Sequence, residues 1–180
     1  MVGPGDLMLS KKEVYWGDCK TKIAIAKGLQ AALGAKIYDE QLTLGLARLT
    51  SLALEIGGQM KRLNFGVVCS ACAGRPGGGC CSQVMADETD VLQLLMNLLA
   101  GVAVDICRDN GQECHFLGEA GCILSFKPIF CLNYDCSALK NHADQEGLSR
   151  YGQLRGRLLQ EQWQLEQLLL QRLEELGEII

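Results

Sequence analysis

Residues 69–81 read Cys69-Ser70-Ala71-Cys72-Ala73-Gly74-Arg75-Pro76-Gly77-Gly78-Gly79-Cys80-Cys81. Two cysteines separated by two residues, a glycine-rich tether, then an adjacent pair is a poor way to build a hydrophobic core. A C-x-x-C turn places two thiolates on one side of a tight segment, at the separation one metal centre needs. The glycines and Pro76 predict a loop here. A second cysteine stretch follows, with Cys114, Cys122, Cys131 and Cys136. Nine of the ten cysteines lie between positions 69 and 136; with Cys107 set aside, these two stretches hold eight, enough for two four-coordinate sites.

Working outward, helical patterns flank these stretches. Ser10-Lys11-Lys12-Glu13 has the form of a capping box, followed by Ile25, Leu29 and Ala32 at helical spacing and by Gly34 as a stop. A second helix is expected from Asp39, with Leu42, Leu46, Leu49, Ala53, Ile56 and Met60 as its stripe. The two predict an antiparallel hairpin turning at residues 34–38. A third helix is expected from Asp87 or Thr89, burying Leu92, Leu95, Leu99, Val102 and Ile106. From about Leu148 a long helix carries Leu154, Leu158, Leu165, Leu169, Leu173 and Leu176, widened by Trp163 and Leu170. The expected fold is mainly α: a helical bundle with two irregular Cys-rich metal-binding loops. Its parts are an N-terminal helical hairpin (1–68), a cysteine-cluster region (69–137) and a C-terminal helix (138–180), together one compact domain.

Composition narrows the function. The formal charge is −4 and no basic stripe suggests nucleic acid. The start lacks the charged and apolar regions of a signal peptide. The most apolar stretch, residues 91–106, is too short to span a bilayer. A cytoplasmic protein without membrane segments is expected, and in that compartment clustered cysteines favour metal over disulfides. Only two histidines are present, and no nucleophile or acid–base set emerges, so no catalytic residue is assigned. Cys19 and Cys107 read as core thiols, His115 as a secondary ligand candidate and His142 as a surface residue.

The candidate ligands are Cys69, Cys72, Cys80, Cys81, Cys114, Cys122, Cys131 and Cys136. Adjacent side chains diverge, so Cys80 and Cys81 are not expected to share one mononuclear site. The spacing leaves the grouping open. Thiolates suit both zinc and iron–sulfur centres. A four-cysteine zinc site usually draws on two short-spaced pairs, and only Cys69/Cys72 is such a pair. The uneven spacing of the others favours one or two iron–sulfur clusters, [4Fe–4S] first, with zinc as the alternative. Glycines at 74, 77, 78, 79, 118 and 121 let backbone amides approach the sulfurs.

The order C-x-x-C, C-C, Cys114-His115-Phe116-Leu117, Gly121-Cys122-Ile123-Leu124 and Lys127-Pro128-Ile129-Phe130-Cys131 resembles the YkgJ-type cysteine-cluster family, a zinc- or iron-chelating domain. The resemblance covers roughly two fifths of the chain and implies metal or iron–sulfur binding by the eight cysteines. Where that family tends to carry Arg-Pro before the seventh cysteine and an Arg just after it, this chain has Lys127-Pro128 and Leu132. Lysine keeps the charge but loses the bidentate fork. The cysteine cluster also resembles that of flagellin lysine N-methylases, without any S-adenosylmethionine signature here. The resulting expectation is electron transfer, or cluster and metal handling, with a protein or redox partner. A zinc-stabilised interaction module is the alternative. The enzymatic form would be an Fe–S oxidoreductase component. The leucine stripe of the last helix offers a seam for a homo-oligomer.

Overall fold

The computed structural model describes residues 9–73, 75, 79–133 and 136–179. The fold is mainly α. Its helices are α1 (Lys11–Tyr15), α2 (Cys19–Leu33), α3 (Glu40–Arg62), α4 (Phe65–Ala73), α5 (Gln83–Asp87), α6 (Val91–Leu99), α7 (Ile129–Asn133), α8 (Ser137–His142) and α9 (Gln145–Glu175). A short antiparallel hairpin, β1 (Leu117–Gly118) and β2 (Gly121–Cys122), pairs Leu117 with Cys122 and Gly118 with Gly121.

Side-chain caps set most helix starts, each accepting a first-turn amide that would otherwise be unpaired. The capping box of Ser10 and Glu13 is present. Asp18, Asp39, Asp90 and Asp144 accept from the amides of Thr21, Leu42, Gln93 and Gly147. The first expected helix is in fact two. Gly17, at φ +120°, breaks it, and Asp18 caps a new start. The buried face of α2 is Cys19, Lys22, Ile23, Ala26, Leu29 and Leu33; the expected Ala32 is exposed and Ile25 only half-buried.

The expected hairpin does not supply the main contacts of its two helices. α3 packs along α9, and α2 packs along α6. The α3–α9 pair is antiparallel. Gln59 Nε2 donates to the carbonyl of Gly147 at 2.8 Å, Arg48 pairs with Glu161 at 3.3 Å, and Arg172 pairs with Asp39. Leu42, Leu46, Leu49 and Ile56 face Leu154, Leu158, Leu165 and Leu169 within the same core. The Leu stripe of α9 is therefore buried against α3, while Trp163 is 61% exposed and does not widen it.

α6 is buried on every side. It runs parallel to α2: Asp87 accepts from the Cys19 amide at 2.7 Å at one end, and Gln30 reaches the Leu98 carbonyl at 3.0 Å at the other. Lys22, 1% exposed, donates to the Asp87 carbonyl at 2.5 Å. The helix stops at Leu99, earlier than its apolar pattern suggests, because Gly101 turns the chain at φ +80°. Ile106 is consequently exposed. The chain then returns along α2, held by Lys27–Asp105 and Lys20–Asp109 pairs at 3.1 and 2.8 Å, and delivers the second cysteine stretch beside the first.

Candidate functional site

Cys69 and Cys72 lie on α4, a helix where a loop is expected. Phe65 starts it and is buried edge-on against Tyr151 of α9, with ring centroids 5.3 Å apart. The glycines that suggest a loop come only after it, and Gly74, Pro76, Gly77 and Gly78 lie outside the described residues, as do Tyr134 and Asp135. On a helix, residues i and i+3 still share a face.

α4 rests directly on the β hairpin. A Cβ added to Gly66 would lie 2.2 Å from the Ala120 carbonyl oxygen, and one on Gly121 would lie 3.1 Å from the Gly66 Cα. Gly121 sits at φ +111°, a region glycine tolerates. The glycines at 66 and 121 thus let two backbones touch and bring Cys69 toward Cys122. A second tie joins the two cysteine stretches. The Cys114 amide donates to the Cys81 carbonyl at 3.0 Å, the Gln83 amide donates to the Gln112 carbonyl at 2.9 Å, and Ser82 bridges Glu113.

These ties build one cavity of about 560 Å³. Cys69, Cys81, Cys114, Cys122 and Cys131 line it, from four separate segments of chain. The Cys81 thiol lies within hydrogen-bond reach of both Cys69 and Cys80, which share its single S–H. These contacts hold Cys81 protonated and lower the pKa values of Cys69 and Cys80, the latter to about 6. Burial pushes Cys114 up to about 11, with Cys122 and Cys107 adding to the rise. Burial likewise raises Cys122, against the opposing charge of Lys127. Cys131 is exposed as a residue, yet desolvation and then the charges of Cys122, Cys114 and Cys80 raise its thiol to about 12. Backbone amides reach two of these sulfurs: Phe116 donates to Cys114 and Leu124 to Cys122. The donors are not the glycines singled out in the sequence. Gly79 does lie close to a sulfur, since a Cβ there would be 2.9 Å from Cys72 Sγ.

Three of the eight expected ligands do not line the cavity. Cys72 lies against Gly79. Cys80 is exposed, contacts Cys81 and lies near enough to act on Cys69 and Cys131. Cys136 immediately precedes α8 and makes no side-chain capping bond there. Cys19 is a core thiol, fully buried and raised to about 12 by desolvation first. Cys107 is exposed, which corrects its reading as a core thiol, and it sits near enough to act on Cys114 and Cys122. His115 is 2% exposed and donates from Nδ1 to the Arg108 carbonyl at 2.7 Å, a structural tie within its loop.

Among the described residues, no three His, Cys, Asp or Glu side chains are grouped to hold a single metal ion. Cys81 meets Cys69 and Cys80, and Cys114, Cys122 and Cys131 line the same space from other segments. Tetrahedral zinc needs sulfurs about 2.3 Å from one centre, hence about 3.8 Å from each other. An iron–sulfur cluster takes each thiolate on a different iron and fits a wider ring. The donor set is all sulfur, with amide hydrogen bonds to sulfur of the kind that tune such clusters, and so fits the group.

Among the described residues, no helix is long and apolar enough to cross a membrane. No protein-family model, curated protein or solved structure matches the chain.

Proposed function

We propose that this protein binds one or two iron–sulfur clusters, [4Fe–4S] in the first instance, and uses them for electron transfer or for cluster and metal handling with a protein partner. The observation that carries the reading is the cavity walled by Cys69, Cys81, Cys114, Cys122 and Cys131. A bound cluster would supply one-electron chemistry. The chain's own part is to set its potential through burial, the Phe116 and Leu124 amides, and the Lys127 charge beside Cys122 and Cys131. Cys72, Cys80 and Cys136 complete the set of eight, as the resemblance to the YkgJ-type family implies.

The raised thiols make binding release protons. Without a cation, burial keeps Cys114, Cys122 and Cys131 protonated. Metal ions reverse that balance, because a coordinating thiol is deprotonated outright.

The test is anaerobic purification followed by iron and acid-labile sulfide analysis per chain. About four or eight irons with matching sulfide are expected. Cys122→Ser should lower bound iron, whereas Cys19→Ser should keep it. Zinc without sulfide would replace this reading with that of a zinc-stabilised interaction module.

A further inference from the structure

The thiols form only part of the cavity. A second wall comes from the end of α3, where Gly57, Met60 and Lys61 line the same space, and from Asn64 in the turn that follows at φ +56°. The spacing of three and four residues places Gly57, Met60 and Lys61 on one helix face. Val67 and Met85 extend this wall from α4 and α5.

Three properties of this wall point to a ligand. First, it holds open room. Gly57 lines the cavity, yet a Cβ added there would meet nothing within 4 Å. The whole cavity, about 560 Å³, is of the size small-molecule sites use. Second, the wall is pliant and apolar. Met60 and Met85 are unbranched and polarisable, and repack around irregular shapes. Third, its charge has one sign. Lys61 and Lys127 both line the cavity, from different elements, and no carboxylate among the described residues lines it with them; Lys127 is shared with the sulfurs of Cys122 and Cys131, which leaves Lys61 as the charge for a ligand. A lysine at a cavity mouth packs its methylenes on apolar surface and turns its ammonium toward an anion.

We infer that the α3 wall binds a small amphipathic anion, a carboxylate with an apolar body, beside the metal–thiolate centre. Its body lies against Met60, Val67 and Met85, and its carboxylate meets Lys61. The inference rests on the proposed function only for what the thiol wall holds. The site gives that centre a neighbouring substrate or ligand, which an electron carrier buried among helices would lack.

The test uses the full chain, purified anaerobically with its iron content determined. Anilinonaphthalene sulfonate, an apolar anion that fluoresces in apolar surroundings, serves as the probe, with decanoate as competitor. Saturable binding of one probe per chain is expected, displaced by decanoate and at least about tenfold less well by decanol. Gly57→Leu should abolish binding with helicity and iron unchanged, since the new side chain fills open space. Lys61→Gln should weaken binding about fivefold, the worth of about 1 kcal/mol for an exposed charge pair. Iron-loaded protein that binds no probe overturns this inference alone. So does Gly57→Leu that binds like the parent chain, or decanol competing as well as decanoate. Iron-free, colourless protein that still binds the probe in a Gly57-sensitive way removes the iron–sulfur reading and leaves the anion site standing.

Discussion

Gly66→Ala tests how the cavity is held together. The added methyl would sit 2.2 Å from the Ala120 carbonyl oxygen and 3.0 Å from its carbon. Ordinary contact needs about 3.4 Å, so α4 and the β hairpin must part by about 1.2 Å. The obstacle is backbone and cannot rotate aside. Overpacking of this kind costs about 3 kcal/mol at the upper end of its usual range. Replacing glycine by alanine inside a helix returns about 1 kcal/mol. The net loss is about 2 kcal/mol, or about 4–8 °C in Tm for a chain of this size. Ser70, whose hydroxyl lies 3.4 Å from the Gly118 carbonyl, moves with the helix, and so does Cys69. Bound iron should fall in parallel. Gly58→Ala is the matched control, since a Cβ there meets nothing within 4 Å. It should raise Tm by the helix term alone. Thermal denaturation followed by circular dichroism, with iron analysis on the same samples, reads both effects. If Gly66→Ala is as stable as Gly58→Ala and keeps its iron, the close seating of α4 on the hairpin is refuted.

Two further outcomes follow from buried polar groups. Asn97 is fully buried and makes four bonds: Nδ2 donates to the Gln93 and Phe126 carbonyls, both at 2.9 Å, and Oδ1 accepts from the Ser125 and Phe126 amides at 2.9 and 3.1 Å. Asn97→Ala leaves the loop amides and the Phe126 carbonyl unpaired and should cost about 3–5 kcal/mol in urea unfolding; a loss under 1 kcal/mol would mean that the loop before Lys127 is not anchored there. Glu166 is raised to about 7, by burial first and then by Asp90, with Tyr15 close by and Lys22 acting on Asp90. A folded pKa above the ordinary 4.5 gives stabilisation that is full below about pH 4.5 and lost as pH rises through about 7. Relative to the parent chain, Glu166→Gln should therefore gain about 1–2 kcal/mol by pH 8, after discounting for partial exposure, and gain nothing at pH 4. An unchanged difference across that range would show that the carboxyl ionises freely.

The helices were largely legible because their signals are local. Asp39 caps where a side-chain oxygen can reach the next turn, and Leu42 to Ile56 or Leu154 to Leu173 repeat at three- and four-residue steps, whereas the last helix starts at Gln145 under an Asp144 cap, three residues before the expected Leu148. What could not be read depends on contacts distant in sequence. Nothing local shows that α3 prefers α9 over its neighbour α2. The apolar pattern through Val102 and Ile106 continues the period of α6 by coincidence, and only the turn at Gly101 ends it. The eight cysteines stood out by composition, yet five line the cavity because Gly66 meets Gly121 and Cys114 bonds Cys81. The second wall was missed outright. Gly57 carries no motif of its own, and only the folded chain shows that its missing side chain leaves the cavity room.

The pairing of α3 with α9 also sets an order for synthesis. α3 ends at Arg62 and α9 begins at Gln145, so 82 residues separate a sticky helix from its cover. At about 5–20 residues per second, the ribosome leaves the leucines of α3 bare for roughly 4–16 s. The nascent chain must pass that interval with its first large apolar surface uncovered, and any truncation before Gln145 makes the interval permanent.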